Sequence, residues 1–199
     1  MAVAFTPQYF NIFMSDLTEK EKMLSGQPYN ASDPGLVRDR MNARSLIRAY
    51  NATIEDDART RQGILSRLFS RVGPKVEIEP PFYCDYGYNV FAGDGLYMNF
   101  GCVILDCNRV VLGEKVLCGP YVQIFAAYHP VEPEARSAGL ELSSPVVIGD
   151  NVWIGGGSII CPGVTIGDNV TIGAGSVVVR DIPSDVVAAG NPCTVKRWI

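Results

Sequence analysis

The sequence is poor in the residues that build metal sites and disulfide frameworks. It contains one histidine, His129, and its six cysteines show no CxxC pair and no spacing typical of metal ligands. A zinc cluster is therefore not expected, and no metal is predicted as a cofactor. The cysteines are instead predicted to be buried free thiols of a protein in a reducing compartment.

Two further absences bear on where the protein acts and on its partners. Basic residues are not in excess, since the formal net charge is -4, and this argues against a nucleic-acid partner. No apolar run approaches the roughly 20 residues needed to span a bilayer, so no membrane association is predicted. The first fourteen residues are apolar and aromatic but carry no lysine or arginine, which does not fit a secretory signal. We predict a cytoplasmic protein with a disordered tail over residues 1–14.

What the sequence does contain is a six-residue repeat between Val146 and Val179. An isoleucine or valine returns at every sixth position: Ile148, Ile154, Ile160, Ile166, Ile172 and Val178. Glycine follows four of these positions, and Cys161 follows a fifth. A period of six matches neither an α-helix at 3.6 nor a flat strand at two. It is typical of a hexapeptide parallel β-helix, in which three short strands and three turns form one coil.

The repeat predicts a mainly β fold whose aliphatic residues point inward. Stacked coils bury a continuous apolar column that no single hexapeptide could bury. Weaker six-residue steps from Val76 onward predict imperfect first coils, with a slip in register at Asp106-Cys107-Asn108-Arg109. We therefore assign residues 74–199 to the β-helix domain.

Residues 15–73 are predicted to form an N-terminal α-helical cap that packs on the β-helix. Thr18 with Glu21 gives a capping box for a short first helix. Asp33 is the predicted N-cap of a second helix that runs from Pro34 to about Tyr50. A third helix is predicted from about Ile54 to Arg71. Four arginines accompany the apolar stripe of the second helix and are most simply interpreted as a solvated face: Arg38, Arg40, Arg44 and Arg48.

The repeat is interrupted once, over residues 126–145. An insertion in a repeat array usually forms a projecting loop on the binding face. His129 stands in this loop, and a side chain that titrates near neutral pH suits a general base that accepts a proton from an alcohol. From the residues alone, an ordinary surface histidine remains the alternative.

Several ordered motifs resemble those of the maltose and galactoside O-acetyltransferases, within the hexapeptide-repeat acyltransferase superfamily. The resemblance covers residue 16 to the C-terminus, and the motifs are Cys84-Asp85-Tyr86-Gly87-Tyr88-Asn89, Met98-Asn99-Phe100, Tyr128-His129-Pro130, Asn151-Val152-Trp153-Ile154-Gly155 and Ala189-Gly190-Asn191-Pro192. It implies a left-handed coil, an exception to the right-handed rule for parallel crossovers. It also implies a homotrimer with active sites between subunits, and acetyl transfer from acetyl-CoA to a sugar hydroxyl without an acetyl-enzyme.

The resemblance assigns roles to particular residues. His129 matches the catalytic general base, and Asn99 matches an asparagine that positions the acceptor and stabilises the tetrahedral transition state. Asp85 matches an acceptor-contacting polar residue. Glu141 is a further candidate near the acceptor, either orienting His129 across the loop or simply solvated.

A second set of matching positions is implied to bind coenzyme A. Trp153 matches a tryptophan beside the channel, and Gly156 and Ala174 match backbone contacts to the pantetheine arm. Arg180 and Arg197 match basic residues that meet phosphates, a task suited to guanidinium geometry. The full predicted set is Trp153, Gly156, Ala174, Val179, Arg180, Lys196 and Arg197.

Two positions depart from the family pattern. Cys107 stands where a close relative carries an acceptor-binding aspartate, so the sugar preference does not follow from the resemblance. Thr194 stands where an arginine often helps to bind coenzyme A, a role that Lys196 and Arg197 could take over.

The sequence leaves other functions open to different degrees. A xenobiotic acetyltransferase would use the same chemistry on an antibiotic hydroxyl, although the helical cap argues against it. A carbonic anhydrase on the same coil is excluded, because catalytic zinc needs three protein ligands and the chain has one histidine. A non-catalytic β-helix scaffold is the alternative from another class, and the presence of both His129 and Asn99 argues against it. The acceptor, whether maltose, a glucoside or a galactoside, and the hydroxyl acetylated are not determined.

Overall fold

A computed structural model describes residues 17–199, so the predicted tail over residues 1–14 lies outside the described part. The described part of the chain starts with three helices and one short strand that form the cap. These elements are α1 (Glu19–Leu24), β1 (Tyr29–Asn30), α2 (Pro34–Asn51) and α3 (Ala58–Leu68). The capping box at Thr18 and the N-cap at Asp33 are both present, which confirms the predicted starts of the first two helices.

The third helix is shorter than predicted. It starts at Ala58 rather than near Ile54, because the Asp57 carboxylate accepts a hydrogen bond from the backbone N–H of Thr60 and so caps the helix there. It ends at Leu68, before the first strand of the β-helix begins at Arg71.

Parallel strands then wind around three faces in strict rotation, as the six-residue period predicts. Face 1 contains β2 (Arg71–Val72), β5 (Val90–Ala92), β8 (Val110–Leu112), β13 (Val146–Ile148) and β16 (Thr165–Ile166). Face 2 contains β3 (Glu77–Ile78), β6 (Tyr97–Met98), β9 (Leu117–Cys118), β14 (Trp153–Ile154), β17 (Thr171–Ile172), β19 (Val186–Ala189) and β20 (Thr194–Trp198). Face 3 contains β4 (Tyr83–Cys84), β7 (Val103–Leu105), β10 (Gln123–Phe125), β15 (Ile159–Ile160) and β18 (Val177–Val178). The terminal strand β20 pairs antiparallel with β19 and closes the stack.

The six aliphatic residues of the repeat are the core of the solenoid. Each is at most 1% exposed, and equivalent residues of successive coils lie in register, such as Ile154 beside Cys118 and Ile172. The apolar residues of the cap join the same core, because Tyr50 and Leu65 are buried in one cluster with Ile78 and Phe82. The predicted packing of the cap on the β-helix is confirmed.

The corner between faces 1 and 2 carries a ladder of polar side chains. Asn151 Nδ2 donates to Asn169 Oδ1 at 2.9 Å, and Asn169 Nδ2 donates to Asp185 Oδ1 at 2.8 Å. All three residues have positive φ, a conformation that asparagine and aspartate tolerate better than most residues. The ladder therefore fixes the spacing of three coils.

Replacing Asn169 is expected to separate the two contributions to this ladder. Asn169→Gly loses the side-chain hydrogen bonds but adopts the positive φ without steric cost. Asn169→Ala loses the same hydrogen bonds and must also hold the positive φ against the steric cost of its Cβ atom. We expect the alanine variant to unfold about 1 kcal/mol more easily than the glycine variant in urea. Equal stabilities of the two variants would contradict a cost for the left-handed backbone.

The interruption at residues 126–145 is an ordered loop. It contains β11 (Ala127–Tyr128), α4 (Pro133–Ser137) and β12 (Leu140–Ser143). β12 lies between β11 and the cap strand β1 in an antiparallel three-stranded sheet. The loop is thus attached to the helical cap as well as to the coil that it leaves.

Candidate active site

The predicted site residues fall on two separate corners of the β-helix. Asn99, Gly156 and Ala174 follow strands of face 2 and lie where the chain turns to face 3, which we call the 2–3 corner. Asp85 follows β4 and Val179 follows β18, so both lie where face 3 turns to face 1, which we call the 3–1 corner.

The other predicted site residues are divided between the 3–1 corner and face 2. His129 and Glu141 belong to the loop that leaves at the 3–1 corner, and Arg180 follows Val179 there. Trp153 is the first residue of β14 on face 2. One side of a coil, at about five residues and 3.3 Å per residue, measures on the order of 15 Å. The fold therefore does not bring Asn99 and His129 of one chain together.

His129 follows β11 and is exposed, and its ring is held by one hydrogen bond. The Nδ1 atom lies 3.2 Å from the backbone carbonyl oxygen of Leu140. Because a carbonyl can only accept, Nδ1 must carry the hydrogen, which leaves Nε2 unprotonated in the neutral ring. The imidazole therefore presents a basic nitrogen to solvent.

Glu141 does not orient His129, contrary to one interpretation of the sequence. Its carboxylate Oε2 accepts a 2.7 Å hydrogen bond from the Tyr29 hydroxyl, and the two residues are direct partners in the β1–β12 pairing. The group that contacts the imidazole is the carbonyl of the neighbouring residue, Leu140. Tyr29 is fully buried, and burial raises the pKa of its phenol, so the phenol remains a donor.

The Tyr29–Glu141 bond joins the helical cap to the loop that carries His129. Tyr29→Phe is expected to lower the free energy of unfolding by about 1.5 kcal/mol, at the low end for a charged partner because Glu141 is partly exposed. A double-mutant cycle with Glu141→Ala, which removes the acceptor, followed by urea unfolding, measures the coupling. Strictly additive effects of the two replacements would show that the bond contributes nothing.

A groove of about 400 Å³ opens beside Asp85. Its lining includes Arg44 and Arg48 from α2 and Tyr83 from β4. Burial raises the pKa of the Asp85 carboxyl, while a hydrogen bond from the Cys107 thiol and the nearby Arg40 and Arg44 act in the opposite direction. The groove thus offers one acidic group and two guanidinium groups to a polar ligand.

Cys107, one of the two departures from the family pattern, is turned toward Asp85. Its Sγ donates to Asp85 Oδ2 at 3.6 Å, and the residue is 4% exposed. Burial raises the pKa of the thiol, so it stays protonated and acts as a donor. At this position the chain therefore places a neutral group behind Asp85 rather than a second carboxylate.

Asp106 supports this corner from within and was not predicted. Its carboxylate is fully buried and accepts backbone N–H donors from Asp85 at 3.1 Å, Tyr86 at 2.9 Å and Asn89 at 3.3 Å. Burial raises the pKa of Asp106 to about 7, although the donors from Tyr86 and Asn89 oppose the shift. The slip in the six-residue register at Asp106 was the signal that could have identified it.

The sequence suggested that Arg40 belongs to a solvated face of α2, and this interpretation is wrong. Its guanidinium donates to the Tyr86 hydroxyl at 2.6 Å and to the Ala31 carbonyl at 2.7 Å. It therefore links α2 to the turn that follows Asp85. Helical periodicity could not show this, because both partners come from other parts of the chain.

The 2–3 corner combines one polar side chain with a smooth backbone surface. Asn99 Oδ1 accepts from the backbone N–H of Phe100 at 2.7 Å, and among residues 17–199 no hydrogen bond uses the side-chain Nδ2 hydrogens of Asn99. A Cβ atom at Gly155 would lie 2.4 Å from the backbone of Ala174, so the coils stack closely here. Trp153 is 56% exposed on the outer side of face 2.

Cationic side chains at the C-terminal end of the solenoid are available to a ligand. Arg180, Lys196 and Arg197 are exposed, and none forms an ion pair within residues 17–199. Lys196 Nζ donates to the hydroxyl of Thr194, the second departure from the family pattern, at 2.9 Å. Thr194 therefore holds Lys196 rather than supplying a charge.

Two structural findings apply to the described part of the chain. Between residues 17 and 199, no helix has the length and apolar character required to cross a bilayer. Within these residues, no three His, Cys, Asp or Glu side chains are grouped so that they could hold a metal ion.

Comparisons with known proteins agree with this architecture. Residues 22–73 match the maltose acetyltransferase hexapeptide capping motif, and residues 145–180 match six repeats of the bacterial transferase hexapeptide. Nodulation protein L of Rhizobium meliloti strain 1021 is 52% identical over 179 residues, which cover 90% of this chain and 98% of that protein.

Two solved structures are similar along nearly the whole length. A maltose O-acetyltransferase from Clostridium difficile 630 has a TM-score of 0.91 and 51% identity, with coverage of 92% and 98% of the two chains. A galactoside acetyltransferase in complex with coenzyme A has a TM-score of 0.89 and 40% identity, with coverage of 92% of each chain. The fold and its corners therefore define a hexapeptide-repeat acyltransferase. Within that class, the chain belongs to the family of maltose and galactoside O-acetyltransferases.

Proposed function

We propose that the protein transfers an acetyl group from acetyl-CoA to a hydroxyl of a sugar of the maltose, glucoside or galactoside type, with His129 as the general base. The observation that carries this proposal is the hydrogen bond between His129 Nδ1 and the Leu140 carbonyl, which leaves Nε2 free to accept a proton. The coenzyme A bound to a similar galactoside acetyltransferase supports the choice of donor.

In the proposed reaction, Nε2 takes the proton of the acceptor hydroxyl while its oxygen attacks the thioester carbonyl carbon. The side-chain Nδ2 hydrogens of Asn99, which no residue between 17 and 199 engages, would stabilise the developing oxyanion. Collapse of the tetrahedral intermediate breaks the C–S bond, and the imidazolium returns its proton to the leaving sulfur. The products are an O-acetyl sugar and free coenzyme A.

The substrates would occupy the two corners described above. We assign the acceptor to the neighbourhood of Asp85, Asn99 and Glu141. The coenzyme A arm is assigned to Trp153, Gly156, Ala174 and Val179, and its phosphates to Arg180, Lys196 and Arg197. These three cations are exposed and form no ion pair with any residue from 17 to 199, which suits a phosphate ligand.

This assignment requires more than one chain, and we propose a homotrimer with each site between neighbouring subunits. Asn99 and His129 lie at opposite ends of face 3, so a site that uses both must take them from different subunits. Exposed apolar residues provide a surface for such an interface, with Leu117 and Trp153 on face 2 and Phe100 at the 2–3 corner. The six free cysteines fit assembly in the reducing cytoplasm.

The test is release of coenzyme A from acetyl-CoA in the presence of glucosides, galactosides, maltose or chloramphenicol. Because the protein has six free thiols, mass spectrometry of the acetylated acceptor should accompany the thiol assay. We expect release that depends on the sugar, above the rate without acceptor. Acetylation of chloramphenicol alone would change the acceptor class, and acetyl-CoA binding without any acetylated product would contradict the proposal.

A further inference from the structure

Tyr121 has a backbone conformation that is unfavourable for its side chain. Its φ is +59°, in the left-handed region that bulky residues rarely adopt. It lies at the 2–3 corner between the coils of Gly101 and Gly157, and these glycines have φ of +74° and +69°. The coils on either side thus have glycine at the corner position with positive φ, whereas this coil has Tyr121.

The ring of Tyr121 lies over the backbone of the coil that carries Asn99. A Cβ atom built on Gly101 would be 2.4 Å from Tyr121 Cδ1, so the ring occupies the space that any side chain at residue 101 would need. Tyr121 N–H donates to the Phe100 carbonyl at 2.9 Å, which places the ring one residue from Asn99 across the coils. The N–H of Gly157 donates to the Pro120 carbonyl at 2.8 Å on the other side.

The fold gains little from this arrangement. Tyr121 is 63% exposed, so its ring contributes little to the buried core, and within residues 17–199 its hydroxyl forms no hydrogen bond. Strained residues cluster at binding sites, but the exposed Lys115 has a similar φ of +55° elsewhere in the fold, so the evidence that distinguishes Tyr121 is the position of its ring beside the coil of Asn99. Phe100, which follows Asn99 and accepts the backbone hydrogen bond of Tyr121, is also 51% exposed.

We propose that Tyr121 is an acceptor-binding residue whose ring packs against the apolar C–H face of a sugar. Aromatic side chains combine a flat apolar face with low conformational freedom, which suits a pyranose ring. The contact would hold the sugar so that one hydroxyl reaches the Asn99 amide. The inference rests on the proposed sugar O-acetyltransferase activity and adds a determinant of acceptor choice to it.

The experiment compares Tyr121→Asn, Tyr121→Phe and Lys115→Asn with the unmodified protein. Asparagine tolerates positive φ, so Tyr121→Asn is expected to melt at an equal or higher temperature. At the same time it should raise the KM for a sugar acceptor by about three- to tenfold, with the KM for acetyl-CoA unchanged. Tyr121→Phe keeps the ring and should keep the KM.

Lys115 is the matched control. It is exposed and has a φ of +55° at the corner between faces 1 and 2, away from Asn99. Lys115→Asn should therefore change the melting temperature in the same direction and leave both KM values unchanged.

Other outcomes would overturn the proposal. An unchanged acceptor KM in Tyr121→Asn would remove Tyr121 from the site, and a lower melting temperature would make the ring structural. Dissociation of the assembly on gel filtration would assign the ring to the subunit interface. If the unmodified protein acetylates no sugar, the proposed activity itself is wrong. If it acetylates sugars but Tyr121→Asn leaves the acceptor KM unchanged, only the role proposed for Tyr121 is wrong.

Discussion

Replacing His129 with alanine is expected to reduce turnover by roughly 100-fold or more, the usual scale for a positioned general base. Without the imidazole, the acceptor hydroxyl would have to attack the thioester while it still holds its proton. The measurement is the initial rate of sugar acetylation at saturating acetyl-CoA. The KM for acetyl-CoA should change little, because the base acts on the acceptor.

The structure supplies a control that separates catalysis from loop anchoring. His129→Asn places an amide N–H near the position of Nδ1, so it can still donate to the Leu140 carbonyl, but it has no basic nitrogen. We expect this variant to be as slow as His129→Ala. If asparagine restores turnover, His129 anchors the loop and another group is the base; near-normal rates in both variants would remove His129 from the mechanism.

Mixed assemblies of two inactive variants are expected to recover activity. His129→Ala and Asn99→Ala subunits, each inactive alone, should produce working sites wherever the intact His129 of one chain meets the intact Asn99 of its neighbour. With random assembly of equal amounts into cyclic trimers, about a quarter of the sites contain both residues. The physical reason is the separation of the two residues by the width of face 3.

Two affinity tags, one on each variant, would isolate the mixed trimers after joint unfolding and refolding. The same variants refolded separately and then combined serve as the control and should remain inactive. Mixed trimers as inactive as their parents would show that each chain completes its own site. In that case, the assignment of Asn99 and His129 to one site from different subunits would be wrong.

The sequence predicted the helix starts of the cap correctly where a side chain hydrogen-bonds to the backbone a few residues away. Thr18, Glu21 and Asp33 hydrogen-bond within three residues of themselves, so their effect was readable from spacing. The third helix was predicted too long, because its apolar stripe did not indicate which of several acidic residues near its start would become the N-cap.

The contacts of residues around the candidate site could not be predicted from nearby sequence. Glu141 was a candidate from its place in the loop, but its partner Tyr29 lies 112 residues away in the chain. Arg40 was interpreted as solvated, yet it binds a tyrosine 46 residues away. Such partners are chosen by the packing of the cap on the coil, which no local pattern describes.

The sequence by itself determined the β-helix, because a period of six places every isoleucine or valine of the repeat inside and leaves only one way to bury them all. It also determined the family, through motifs that span most of the chain. Only the tertiary structure decided that Glu141 turns to Tyr29 and that Arg40 turns to Tyr86. It likewise decided that Tyr121 accepts a strained backbone over Gly101. Positions along a repeat fix which side of a coil a residue occupies, whereas contacts between coils, cap and loop depend on how these parts close on one another in space.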